Sequence, residues 1–553
     1  MTTASYKLED MFSGLSDEQR QLQFGTAEGD PLTEGFPRKR VVHAGLSGQM
    51  VPPEEAQTVW NRIMETPAVR GETQAAYIHI PFCKTKCLYC GFFQNAAQQS
   101  AEDDYVDALL EEIEAAADQP RLKEGLIHAV FIGGGTPSSL SAENAQRVLS
   151  ALRRVLPLAN DYELTLEGRI HDLVPEKMET WLANGVNRIS LGVQSFHTEV
   201  RQAQGRIETR EEVLTRLRAL KAYGQCSVVL DLIYGLPGQT MDVWRQDLAD
   251  LAASGVDGAD FYQLNVFEDS DLNKQIAAGK LKPAATTQEQ ARMYAFSHDY
   301  MARRGWRQIS MCHWSRSNRE RSLYNALAKE GVPMFPFGSS AGGFLEGYAV
   351  MLHRILQPYA MLVASGQKPI MGLVKQSDMQ PFSNRAISML ERGFVDIAGL
   401  EALSPRLGGL RWLYDLWEKR GFVRFNGVQY ELTVAGKFWE VNLAQTTAEC
   451  IQYLMTGENT LSLESIAAQD TQRAKNGQEK KHGVGMNGVP SIEMMQKMQK
   501  MAKGGMPSLS VLKSFAREAG IKGMPSIEEM RKLQKMMEDR KLRDTEPCGV
   551  KTF

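Results

Sequence analysis

Nowhere does this chain run to the roughly 18 consecutive apolar residues that a membrane-crossing helix needs, so no membrane span is expected. It also lacks a disulfide framework: seven cysteines, an odd number with three crowded into one short run, have the wrong count and spacing for paired bridges. A reducing compartment follows. The first residues carry Glu9, Asp10, Asp17 and Glu18 and no apolar stretch, which reads as neither signal peptide nor anchor, and the expected location is cytoplasmic. Strong charge of one sign is missing too. The net charge is −3, yet Thr471 to Phe553 holds 17 Lys and Arg against 9 Asp and Glu, a surplus of eight that leaves the remainder at −11. A mildly acidic body is not an obvious nucleic-acid binder.

What the chain does have is Cys83, Cys87 and Cys90 inside His79-Ile80-Pro81-Phe82-Cys83-Lys84-Thr85-Lys86-Cys87-Leu88-Tyr89-Cys90-Gly91. A Cys-x3-Cys-x2-Cys loop can ligate three irons of a [4Fe-4S] cube and leave the fourth open to a small molecule. In this spacing the small molecule is expected to be S-adenosylmethionine (SAM), whose amino and carboxylate groups chelate iron. A zinc knuckle or unrelated thiols are the alternatives. Structural zinc needs a fourth ligand, and none follows within the next several residues.

With 553 residues there is room for one large domain and smaller ones. From Ala75 to about Val266, apolar runs at Tyr77 to Ile80, Ala129 to Ile132, Leu164 to Leu166, Ile189 to Val193, Val228 to Tyr234 and Phe261 to Val266 alternate with amphipathic stretches. Such alternation predicts an α/β fold, a parallel partial (β/α)6 barrel whose strand C-termini form the site. The second run ends in Gly133-Gly134-Gly135-Thr136-Pro137-Ser138, where missing side chains let backbone groups approach a ligand. Glu167 and Gln194 follow other strands, and Asp231 interrupts an apolar run where an unpartnered carboxylate is costly.

Together with Asn187-Arg188-Ile189-Ser190-Leu191-Gly192-Val193-Gln194-Ser195-Phe196 and Asp231-Leu232-Ile233-Tyr234-Gly235-Leu236-Pro237, these motifs resemble the radical SAM family of oxygen-independent coproporphyrinogen III dehydrogenase, from about Ala75 to Gly343 and more loosely to Ala444. The resemblance implies two SAM molecules. Tyr77, Gly134 and Glu167 match contacts to the SAM on the cluster; Tyr89, Gly135, Thr136, Gln194, Arg206 and Asp231 match contacts to the second; Asn265 and Gly342 match more loosely. A guanidinium such as Arg206 suits a SAM carboxylate.

Two departures redirect the expectation. Phe92 stands where the dehydrogenase has a fourth cysteine, and Glu167-Gly168-Arg169 replaces its Glu-x-Asn/Asp-Pro turn. Cys90-Gly91-Phe92-Phe93-Gln94-Asn95 and Phe335-Pro336-Phe337-Gly338-Ser339-Ser340-Ala341-Gly342-Gly343 instead resemble the heme-utilisation radical SAM methyltransferases of the HutW/ChuW type. That branch implies heme as substrate, a methyl carbon of one SAM added to a meso carbon, and oxygen-free ring opening to a linear tetrapyrrole (anaerobilin) with iron release. It also implies an external electron donor such as flavodoxin or its reductase. The dehydrogenase activity, or a heme chaperone of the same superfamily, are the other readings.

For heme itself, Cys312 or His313 are candidate iron ligands and Arg316 a candidate propionate partner, in Met311-Cys312-His313-Trp314-Ser315-Arg316 after a strand-like Gln308 to Ser310. Cys226 and Cys450 read as packing residues. A helix and an Asn426-Gly427 hairpin predict a winged-helix-like lobe, and the hairpin's single basic residue, Arg424, argues against nucleic acid. Gly-x-Pro-Ser runs starting at Gly488, Gly505 and Gly523 open short Met-lined helical repeats, a helical repeat tail expected to be either a flexible appendage or a surface for a partner such as a heme donor or a downstream tetrapyrrole reductase. The expected organisation is therefore 1–70 N-terminal extension, 71–345 barrel, 346–470 C-terminal lobe and 471–553 basic tail.

Overall fold

A computed structural model of the chain describes residues 6–40, 45–46, 48–91, 93–268 and 270–461. Phe92 and the repeats beyond Thr471 lie outside the described residues.

Six parallel strands follow one another in chain and in space: β1 (Thr73–Ile80), β2 (Leu126–Gly134), β3 (Leu158–Gly168), β4 (Arg188–Gln194), β5 (Ser227–Tyr234) and β6 (Gly258–Gln263). They are the apolar runs read from the sequence, and their near-continuous burial is what helices on one face and a filled interior on the other demand. Helices α1 (Gln99–Ala115), α2 (Ala142–Val155), α3 (Pro175–Ala183), α4 (Arg210–Ala222) and α5 (Met241–Ala253) return the chain between them. Thr209 with Glu212 makes a capping box at the start of α4, and the Thr240 side chain accepts from Val243 N to start α5. Trp181 on α3 and Trp244 on α5 are fully buried against the sheet, each removing about 2 to 3 kcal/mol of apolar surface from water.

Beyond β6 the chain departs from simple alternation. β7 (Arg307–Gln308) and β8 (His313–Ser315) form a tight antiparallel pair, and β8 runs antiparallel to β6 with His313 opposite Asp260 and Ser315 opposite Gly258. On the other flank, β9 (Met334–Phe337) pairs parallel with β1, and β10 (Gly342–Leu345), β11 (Tyr348–Leu352) and β12 (Ile370–Lys375) continue the sheet antiparallel. With the short segment Gln49–Met50 paired antiparallel to β12 at one edge, the sheet has thirteen strands and two edges and stays an open, partial barrel.

A second unit of packing follows: α6 (Gln380–Glu391), α7 (Leu410–Lys419), α8 (Glu440–Thr456) and a three-stranded sheet of β13 (Phe394–Val395), β14 (Val423–Phe425) and β15 (Tyr430–Leu432). The Asn426-Gly427 turn joins β14 to β15, with Gly427 at φ +98°. Residues 23–40 lie along α8. Trp439 Nε1 donates to Pro31 O and Leu32 O, Asn442 Nδ2 donates to Arg38 O, and Arg40 N donates to Asn442 Oδ1. No described helix is long and apolar enough to cross a membrane.

Candidate active site at the cysteine loop

The loop after β1 begins with Phe82–Cys83, paired parallel to Asn95–Ala96, and is held at every turn by groups from other strands. Lys84 pairs with Asp172 at 2.8 Å, Arg169 Nη1 donates to Thr85 O at 3.0 Å and Oγ1 at 2.8 Å, and Leu88 N donates to Gln204 O at 3.4 Å. Cys83 and Cys87 are buried and Cys90 is partly exposed. Thr136 Oγ1 contacts Cys83 Sγ at 3.3 Å. Burial pushes the Cys83 thiol up, whereas at Cys87 the Arg206 and Arg169 guanidiniums outweigh burial and bring the thiol below its ordinary value.

The glycine run belongs here for steric reasons. A Cβ on Gly133 would stand 2.7 Å from Glu167 Oε2, one on Gly135 2.5 Å from Phe82 O, and one on Gly134, at φ +108°, 2.5 Å from the His79 ring. Gly134 N donates to Glu167 Oε2 at 3.1 Å, so the turn is tied to β3.

These groups enclose a cavity of about 150 Å³ lined by Cys87, Cys90, Tyr89, Gly135, Thr136, Glu167, Gln194, Arg206 and Asp231, nearly the set singled out from the sequence. Arg169, Ser190 and Gly192 line it as well; none was marked as a site residue, although Arg169 stood out as a departure in a turn. Arg206 Nη2 donates to Tyr89 Oη at 2.9 Å and its Nη1 donates to Gly192 O. Gln194 sits at φ +71° beside a register shift in β4, a strained backbone for a side chain, and its Oε1 is buried without a hydrogen-bond partner among the described residues, as is Arg206 Nε. Asp247, which accepts from Ser195 Oγ at 2.9 Å and Phe196 N at 2.7 Å, anchors the turn that follows.

The floor is acidic. Burial and the neighbouring Asp231 push Glu167 up to about 8; burial and Asp260 push Asp231 up to about 7. Glu167 and Asp231 share the pocket with the Arg169 and Arg206 guanidiniums, so it offers carboxylates to the ammonium and sulfonium of a guest such as SAM and guanidiniums to its carboxylate. Among the described residues no three His, Cys, Asp or Glu groups converge on one point as ligands of a single metal ion. Thiolates of a cubane bind separate irons and have no such need. The donor set of three cysteines on one loop, the orphaned polar atoms and the acidic floor suit a cluster with SAM beside it.

Other expected residues fall elsewhere. Tyr77 lies next to the pocket, its Oη 3.1 Å from His79 Nδ1, with Phe131 and Tyr324 beside its ring. Gly342 opens β10 opposite Met351 and lines neither cavity described here. The Phe335–Gly343 run reaches the cysteine loop through Ser340 Oγ, which donates to Gln94 Oε1 at 3.0 Å. Asn265 and Cys312 line a second cavity, of about 430 Å³, over the ends of β5 and β6. Its aromatic wall is Tyr234, Phe261, Tyr262, Tyr294 and Phe438, and Lys39, Arg40 and Lys437 reach it from distant segments.

Two of the residues expected to touch heme lie outside both cavities. His313 is buried with Nδ1 2.9 Å from Asp260 and Nε2 3.3 Å from Glu320; although burial works against its charge these carboxylates push it up to about 9, and the ring lines neither cavity. Because β8 runs back down the sheet, Arg316 ends exposed at the opposite end from the cysteine loop, donating its N–H to Asp257 O. Cys312 does face the larger cavity, but burial and Asp260 raise its thiol, so it is a neutral hydrogen-bond donor to Asp260 rather than a ready thiolate.

A family model described as "Radical SAM superfamily" matches residues 77–251. The chain is 38% identical over 400 residues to anaerobilin synthase of Escherichia coli O157:H7, an overlap covering 72% of this chain and 88% of that protein. It is 31% identical over 295 residues to the heme chaperone HemW of Bacillus subtilis (strain 168), covering 53% and 76%. Among solved structures, coproporphyrinogen III oxidase (HemN) from Escherichia coli shares the fold with a TM-score of 0.60 at 22% identity, covering 71% of this chain and 93% of that one.

Proposed function

This chain belongs to the radical SAM superfamily, and from that premise we propose that it opens heme without oxygen, adding a SAM-derived methyl carbon and releasing iron from a linear tetrapyrrole. Cys83, Cys87 and Cys90 hold the [4Fe-4S] cluster, and the small acidic pocket binds SAM. When bound, the cluster and SAM supply the reducing electron and the radical. The protein's residues do the rest. Gly134 and Glu167 serve the SAM on the cluster; Arg206 takes a carboxylate of a second SAM, the source of the methyl carbon, while holding Tyr89, and Asp231 faces that molecule's positive groups. The aromatic cavity over β5 and β6 holds the macrocycle and keeps water from it.

The observation that carries this reading is the adjacency of the two cavities: Asp231, on the floor of one, is in register with Asp260, which accepts from Cys312 on the wall of the other. A volume of about 430 Å³ lined by aromatic rings is the size and character of a site for a large flat ligand. The external electron donor is proposed to be flavodoxin or its reductase.

Reduced, cluster-reconstituted protein with SAM and heme tests the proposal. Loss of the Soret band together with a mass gain in the tetrapyrrole supports it. Heme that binds and is recovered unchanged while SAM is cleaved or held overturns it in favour of a chaperone, and turnover of coproporphyrinogen alone points to the dehydrogenase.

A further inference from the structure

The larger cavity contains positive charge that its own walls do not neutralise. Arg40 lies 3.4 Å from Glu449, Arg321 3.4 Å from Asp161, and Lys329 2.6 Å from Glu391. Lys39, Lys437 and Arg392 have no carboxylate within ion-pairing distance among the described residues, and Arg392 instead donates to Ser388 O and lies over the Phe394 ring. Lys39 Nζ sits over the Phe438 ring, 3.8 Å from its centroid, and Lys437, the adjoining residue, donates to Gln308 Oε1 at 3.0 Å and stands 3.2 Å from His298 Nε2. His298 is a neutral acceptor there, since burial and Lys437 lower it to about 4.

Both lysines carry the mark of missing counter-charge. Burial, only partly offset by Glu440, brings Lys39 down to about 7, and burial lowers Lys437 as well. Glu440 is a distant counter-charge, outside ion-pairing distance of Lys39, and burial with Glu391 pushes its own carboxyl up to about 8. Two ammonium groups beside an aromatic ring, on the wall of a cavity large enough for a macrocycle, suit a flat ligand that brings carboxylates of its own.

We infer that Lys39 and Lys437 form a clasp for the carboxylates of the ligand in the larger cavity, which on the reading proposed above are the propionates of heme. The residues before β1 then belong to the substrate site. Lys39 is presented by the segment that Asn442 fastens to α8, and Lys437 by the short helix Val434–Phe438 that leads into it. Once a carboxylate is seated, both amines return to full protonation and the ring of Phe438 is left to stack on the ligand.

Anaerobic absorbance titration of the full chain tests this with four probes: heme, iron-free protoporphyrin IX, and the dimethyl ester of each. The clasp predicts that Lys39→Met and Lys437→Met each weaken binding of both diacids by about tenfold, the value of a charge-assisted hydrogen bond. It predicts weak ester binding to the wild type, unchanged by either substitution. Lys39→Arg and Lys437→Arg should hold the diacids nearly as well as wild type, and the exposed Lys123→Met should have no effect. Equal affinity of diacid and ester, or diacid binding untouched by both Met substitutions, overturns the clasp even if heme is opened. Diacid-selective binding that the Met substitutions abolish, without ring opening under reduction, leaves the clasp standing and removes the ring-opening reading. No binding of any porphyrin overturns both.

Discussion

Arg206 donates to the Tyr89 hydroxyl at 2.9 Å across 117 residues of sequence, locking the cysteine loop to the turn beyond β4. The same guanidinium lowers the Cys87 thiol toward its thiolate. Arg206→Ala should therefore cut SAM cleavage by about 100-fold while leaving iron content near normal, because the charge-assisted bonds it makes are worth about 2 to 3 kcal/mol. Arg206→Lys should recover little, since an ammonium cannot hold Tyr89, Gly192 O and a carboxylate at once. Cleavage assays alongside iron and sulfide determination check this, and loss of iron in both variants would move the residue's role from SAM to the cluster.

The acidic floor makes SAM binding a proton-releasing event. Glu167 and Asp231, held up to about 8 and about 7, are partly protonated at neutral pH in the empty pocket, and a cation favours their ionised forms. Affinity should rise with pH between roughly 6 and 8 and flatten above. Calorimetry in two buffers of different ionisation heat should show protons leaving; Asp231→Asn should reduce the release. Identical heats in both buffers would contradict the arrangement.

His313 stores stability that is lost on the alkaline side. Its pKa is raised from an ordinary value near 6.5 to about 9, so the contribution is complete below about 6.5 and disappears as pH climbs through 9. Glu320, lowered to about 2 chiefly because Arg188 and His313 outweigh its burial, keeps its share down to strongly acid pH. His313→Gln should cost about 3 to 5 kcal/mol at pH 7, the usual penalty for breaking a buried pair, and much less at pH 10. Thermal midpoints of both proteins across this range decide the matter, and parallel curves would exclude the linkage.

Removing 471–553 should leave SAM cleavage and heme turnover near the full-length level with a chemical reductant, because among the described residues nothing beyond Val441 lines either cavity. Turnover fed by a protein reductant or a heme donor should fall. Equal loss in both assays would mean that the tail helps build the site.

How much of this was legible in the sequence depends on the physics of each signal. The six strands announced themselves as apolar runs, and the smaller pocket followed because thiols, glycines and carboxylates at strand ends have few structural uses. β6 was placed too late, through Val266 instead of Gln263, since Leu264 and Val266 extend the apolar run past the last paired residue. The β7–β8 turn was illegible: strands of two and three residues show no alternation, so nothing in the sequence signals that the chain reverses before Arg316. Asp260, flanked by Ala259 and Phe261, carried the same signal as Asp231 and was not marked. Lys39 and Lys437 gave none. A lysine in a polar stretch does not reveal what it faces, and these two meet only because residues 402 apart are joined through Arg40 and Asn442.

That last contact sets an order of events. Arg40 cannot find Asn442 until nearly the whole barrel has been made, so closing a loop of this length comes late in folding and late on the ribosome. A nascent chain would possess its cysteine loop, with a place for iron and SAM, well before it possessed a finished cavity for a macrocycle. The pocket at the cysteine loop can thereby take shape while the larger cavity still lacks the wall that Phe438 and Glu440 supply.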